Sequence, residues 1–181
     1  MSISKRFLFP VVLAIAASEI SFASPRDEKS KNAGAAACFA RIKSLAGDWF
    51  TKDEKTGNDV LALRYKVTAA GSAVQETIFP GEDHEMVTIY TMDGENLVLT
   101  HYCVLGNQPH LKATAASTPS KMEFTCIGGG NMKSENDMHM HHAVFTFTSN
   151  DKFSTHWSAY QDGKPMAGHE AKFEFTRKAA K

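Results

Sequence analysis

The chain has 181 residues, 43% of them hydrophobic and 22% charged, with 20 basic and 20 acidic side chains that cancel to a formal net charge of zero. That length and apolar fraction suit one globular domain with a substantial core. The neutral balance excludes a polycationic nucleic-acid binder and a surface made to adhere to anionic lipid.

Lys5 and Arg6 precede an apolar run from Phe7 to Ala17, and Ser21, Phe22 and Ala23 follow at a small-x-small cleavage position. Residues 1–23 are therefore expected to be a signal peptide, which places the mature chain in the periplasm or outside the cell. The run is shorter than the roughly 20 apolar residues that a spanning helix needs. No cysteine follows the expected cut, so neither lipid nor stable membrane anchoring is expected. Cleavage would remove Lys5, Arg6 and Glu19, two positive charges and one negative, taking the net charge from 0 to −1.

Residues 24–34 are small, charged and proline-containing, and are expected to form a disordered leader to a single domain at 35–181. From Ala35 to Ala46 the helix formers predominate, Cys38, Ile42 and Leu45 share one face, and Gly47 is placed to end the helix. After Gly47, Asp48 and Trp49 the period changes from helical to alternating and remains so. About ten strand-like runs follow, at 49–52, 60–67, 73–79, 85–91, 97–105, 110–115, 121–127, 139–148, 152–160 and 169–177. Their separators are short and turn-like, as at Asp93 Gly94, Gly106 Asn107 and Asp162 Gly163. Connections this short exclude parallel crossovers, so the expected fold is all-β, an up-and-down antiparallel meander closed into a barrel.

The short helix followed by Gly47, Asp48 and Trp49, with Arg177 at the end of the last run, resembles the lipocalin-like or calycin barrels. The resemblance implies that Trp49 packs across the closed end against Arg177. Separately, Leu99 Thr100 His101 Tyr102 Cys103, then Gly106 Asn107 Gln108 Pro109, then His139 Met140 His141, is similar to a group of exported bacterial proteins of unassigned function. That likeness covers most of the mature chain and implies a shared fold and site, without an activity.

All eight histidines fall between His84 and His169. In an up-and-down path His84, His101, His110, His139, His141 and His169 come to one end, the open mouth, while Trp49 and Arg177 come to the other. A two-residue hairpin at Asp93 Gly94 would set His84 opposite Cys103, Met86 opposite His101 and Tyr90 opposite Leu97. Alternation puts Ala143, Phe145, Phe147, Phe153, Thr155, Trp157, Phe173 and Phe175 on the inner face, and by the same parity His139, His141 and His169. His142 and His156 fall outside. For the run holding His101, the inner face is taken as the one carrying His101 and Cys103.

Three functions fit this arrangement. The first is a small-ligand pocket walled by Trp157, Phe145, Phe147, Phe153 and Phe173, with Tyr90, His101 and the turn amides of Asn107 and Gln108 supplying polarity. The bland alternative is that these aromatics fill a dry interior. Haem on an inner histidine is a variant, although no haem-specific spacing is present. The second is copper or zinc binding by His84, His101, Cys103, His139 and His141, tilted toward copper by Met86, Met132, Met138 and Met140. The third is a thiol enzyme in which His84 or His101 activates Cys103, for which no third orienting residue is evident. A Cys103–Cys126 disulfide is not expected, because the run at 110–115 separates their strands. The loop from Gly128 to Asp137 is flexible by composition and is expected to be free to act as a lid.

Overall fold

The structure, a computed structural model, describes residues 25–178, and the expected signal segment lies outside them. Helix α1 (Pro25–Lys43) starts well before Ala35, so residues 25–34, expected as an unstructured leader, continue its axis. It stops at Lys43 rather than Ala46, in a turn where Ser44 N–H donates to the Ala40 carbonyl and Leu45 N–H to that of Ile42. Cys38, Phe39, Ile42 and Leu45 are all buried, as the helical spacing requires.

Ten strands follow: β1 (Gly47–Lys52), β2 (Asp59–Thr68), β3 (Ala73–Ile78), β4 (Met86–Asp93), β5 (Asn96–Tyr102), β6 (Gln108–Ala113), β7 (Lys121–Gly130), β8 (His139–Phe147), β9 (Lys152–Gln161) and β10 (Lys164–Thr176). Each pairs antiparallel with its neighbours in sequence, and β1 meets β10 at Phe50 and Thr176, closing the barrel. This is the expected all-β up-and-down barrel with one helix at its closed end, consistent with a lipocalin-like fold. No helix among the described residues is long and apolar enough to cross a membrane.

Trp49 is fully buried at the base, its indole N–H donating to the Leu45 carbonyl at 2.7 Å. The Arg177 guanidinium lies 4.6 Å from its ring and donates to the Ala46 and Ser44 carbonyls at 2.9 and 3.0 Å. One cation thus ties the end of β10 to the Ser44 and Ala46 carbonyls of the link between helix and barrel. Gly47 suits its position, with φ of +117° and Arg177 Nη1 3.3 Å from where a Cβ would stand. Above Trp49, edge-to-face contacts join Phe153 to Tyr65 and Tyr90 to Phe124 and Phe145, and a tilted Tyr65–Tyr90 pair links the two groups into a packed lower interior.

Several local expectations are corrected. The β4–β5 hairpin turns on Gly94 and Glu95, since Asp93 pairs with Asn96, so Thr88 rather than Met86 faces His101 and Leu99 rather than Leu97 faces Tyr90. A slip of two residues keeps every side chain on its face, and His101, Leu97 and Leu99 are indeed buried inside. Gly128, Gly129 and Gly130 belong to β7, paired with His110, Pro109 and Gln108, and are no part of a free lid. At Gly129 a Cβ would lie 2.9 Å from the Gln108 carbonyl oxygen and from Pro109 Cα, so the glycine permits that close approach. The segment after it is fastened too, with Asn131 donating to the Gly106 carbonyl at 2.6 Å and Asp162 N–H to that of Asn136 at 2.9 Å.

The largest correction concerns β8. Met140 pairs with Ala159 and His142 with Ser158, leaving His141 as an extra residue in a bulge. A bulge of one residue reverses alternation, so Met140 lines the interior while His139 and His141 do not. His169 is exposed, on a part of β10 where pairing lapses between Pro165 and Glu170.

Replacing Trp49 with alanine removes the ring, its hydrogen bond and the Arg177 contact together. Trp49→Ala should lower unfolding free energy by about 3–5 kcal/mol in urea titration, as for other large aromatic truncations in a core.

Candidate functional site

Register in β2 to β5 sets four polar side chains in one row across the inner wall. Tyr65 stands opposite Glu76, Glu76 opposite Thr88, and Thr88 opposite His101. The Tyr65 hydroxyl donates to Glu76 Oε1, the Tyr90 hydroxyl donates to Oε2 at 2.8 Å, and the Thr88 hydroxyl also acts on the same carboxyl. Glu76 is only 3% exposed, so loss of hydration pushes its carboxyl above the usual range while the three hydroxyls pull it back. Burial and the neighbouring carboxyl raise both tyrosines well above theirs, which keeps them as O–H donors.

Thr88 Oγ1 lies 3.0 Å from His101 Nδ1. The Thr88 hydroxyl has one proton, and a carboxylate can only accept. With that proton turned to Glu76, Oγ1 accepts from the Nδ1–H of His101. Nε2 of His101 has no hydrogen-bond partner among the described residues and is not among the buried, unpartnered atoms. It is left as an acceptor at the cavity wall. Burial lowers His101 to about 4, so the imidazole is neutral at pH 7.

The row borders an inner hollow of about 150 Å³, walled mainly by Leu63, Phe79, Met86, Met140, Trp157 and Phe173. Above it an open hollow of about 270 Å³ shares Met86, His101, Met140 and Ala171 and adds Cys103, Val104, Leu105 and His169. Both are almost wholly apolar apart from Glu76, Thr155 and His101 below and the rim residues His169 and Glu170 above. The interior is therefore divided, with packed aromatics below and space above. Of the expected ligand residues, His101, Trp157 and Phe173 line this space. Tyr90 and Phe145 are fully buried in the packed half, where Tyr90 serves Glu76. Phe147 and Phe153 also stack there, the former under the Arg41 guanidinium. Asn107 donates to the Met138 carbonyl at 2.8 Å and Gln108 to that of Gly106 at 3.0 Å, so both amides fasten loops.

The expected metal residues separate into different places. His101 and Cys103 belong to the hollows above, whereas the ring of His84 packs on Phe79 at 4.8 Å. His139 and His141 instead meet Cys126, with one ligand atom from each lying within 4.8 Å of the others. These three border a separate hollow of about 240 Å³ with Met132, Glu135 and Tyr160. No histidine hydrogen-bonds to Cys103 among the described residues, and burial pushes its thiol up, opposite to what an activated thiolate requires. Cys38, Cys103 and Cys126 are all free thiols.

Sequence reasoning missed Glu76, Thr88 and Cys126 as site residues, and named Met140 beside a metal site where the structure puts it in the cavity wall. An acidic residue inside an otherwise alternating apolar run was the one available signal for Glu76. The chain matches no known protein-family profile, and no curated protein is significantly similar to it.

Because His101 has its ordinary protonation in the unfolded chain and resists it when folded, its contribution to stability is complete above about pH 6.5 and is lost as pH falls toward about 4. The full loss amounts to about 3 kcal/mol. The difference between wild-type and His101→Gln unfolding curves, measured from pH 7.5 to pH 4, should show that fall in wild type alone.

Proposed function

We propose that the protein binds a small, largely apolar molecule carrying one hydrogen-bond donor, seated in the upper barrel with its donor on His101 Nε2. The observation that carries this reading is the His101 ring, 3.0 Å from Thr88 through Nδ1 and with no hydrogen-bond partner for Nε2 among the described residues, in the wall of an otherwise apolar cavity. A cavity of this kind gains affinity from apolar burial and specificity from one well-placed polar group. Val104 and Leu105, both exposed at the rim, give such a ligand an apolar approach. A porphyrin is far larger than the inner hollow, which disfavours haem on His101.

Residues 1–23 support export, so binding would take place in the periplasm or outside the cell. Mass spectrometry of the protein from an exporting host should give a chain beginning at Ser24; a cytoplasmic chain retaining Met1 contradicts export.

The binding reading is tested with a matched pair of probes, 4-ethylphenol and ethylbenzene, followed by Trp157 fluorescence in a Trp49→Phe background. The phenol should bind about 3- to 10-fold more tightly, the worth of one neutral hydrogen bond. His101→Leu should keep ethylbenzene binding and abolish the preference. Saturation by neither probe, or a preference unchanged in His101→Leu, contradicts the assignment.

A further inference from the structure

The pairing of β7 with β8 runs from Lys121 and Thr146 to Thr125 and His142 and then stops. The next rung would join Cys126 to His141. Instead each strand carries an extra residue at that level, Ile127 on β7 and His141 on β8, and the seam opens. Bulges of this kind re-aim side chains. Here they turn Cys126, His139 and His141 toward one another under the segment that carries Met132 and Glu135.

The imidazoles are already oriented. Nδ1 of His139 lies 2.7 Å from the Asp137 carbonyl, which can only accept, so that nitrogen carries the proton and Nε2 holds a lone pair. Nε2 lies 2.9 Å from His141 Nδ1, which therefore donates to it. The His141 ring stacks on Tyr160, with centroids 4.1 Å apart. A ligating histidine whose second nitrogen is held by a backbone carbonyl is the usual outer support of a metal site. His139 is also 2% exposed, buried with its lone pair aimed into the cluster. The Cys126 thiol completes the set, 3.2 Å from the Gly128 carbonyl to which it donates.

The geometry points to a copper(I) site formed by Cys126 Sγ, His139 Nε2 and His141 Nδ1, with the Met132 thioether as a further soft donor, on the outer side of the open end. A thiolate and two imidazoles suit copper(I) and zinc(II) alike and exclude a hard cation, and the thioether is the donor that favours copper(I). Binding breaks the Cys126 S–H bond, forms an S–Cu bond and releases one proton. His141 moves its proton from Nδ1 to Nε2, which changes no proton count, and the copper stays in one oxidation state. The site uses neither His101 nor the cavity, so its failure leaves the ligand reading standing, and the converse also holds.

The full mature chain, reduced and anaerobic, is titrated with copper(I), and separately with zinc(II), against a competing chelator. One equivalent of copper(I) should bind, releasing one proton per ion as read by a pH indicator, a measurement that needs no variant. Cys126→Ser and His139→Ala should each weaken binding by about a hundredfold or more, while Met132→Leu should weaken copper(I) about tenfold and leave zinc(II) unchanged. His156→Ala, whose ring pairs with Glu170 elsewhere on the barrel, should change nothing. Absence of a stoichiometric equivalent, no proton release, full affinity in a folded Cys126→Ser protein, or tighter retention of zinc(II) than of copper(I) would overturn the assignment.

Discussion

The placement of Glu76 inside the barrel constrains everything above the base. A carboxyl removed from water is costly unless donors surround it, and three strands besides its own contribute to meeting that requirement. Tyr65 comes from β2, Thr88 and Tyr90 from β4, and His101 joins through Thr88 from β5. The arrangement is directional. The tyrosine protons point to the carboxyl, and with the Thr88 proton turned the same way the last member of the row, an imidazole, presents its acceptor to the cavity. What begins as satisfaction of a buried acid ends as a defined tautomer at the cavity wall. A half-satisfied row would be worse than an apolar one, so removing a single member is costly.

The barrel keeps its two ends chemically distinct by simple means. At the base, aromatic rings fill the cross-section, and Arg177 seals the junction with the helix by serving carbonyls that would otherwise lack donors. Nothing comparable fills the top, where Met86, Met140 and Trp157 border space instead. Methionine adapts its shape readily, which suits a wall that must close around a ligand. At the same end, the bulge at His141 moves two histidines out of the interior and into a second, sulfur-containing environment. One extra residue thus separates an apolar cavity from a group of metal-ligating side chains.

The sequence made the strands, their antiparallel order, the closed base and the inward face of His101 legible, because each follows from period, turn length and parity. The misplaced hairpin at Asp93 shows why parity is robust, since a shift of two residues changed His101's partner without changing its face. The bulge at His141 shows where parity fails, since a shift of one sent His139 and His141 to the other side. Nothing in the run from His139 to Phe147 announces the extra residue. Nor could Glu76 be separated from a solvated strand glutamate until Tyr65, Thr88 and Tyr90 were set beside it by pairing. Gly128 to Gly130 misled in another way, because glycine composition suggested freedom where it permits close backbone contact with Gln108 and Pro109.

The protonation of His101 is the most direct measure of whether the buried row is wired as described. Long-range nitrogen–proton correlation spectra of the histidine side chains at pH 7 distinguish the two neutral tautomers and the imidazolium. The account predicts a neutral His101 ring with its proton on Nδ1 and an unprotonated Nε2. A ring protonated on Nε2, or on both nitrogens, would contradict it.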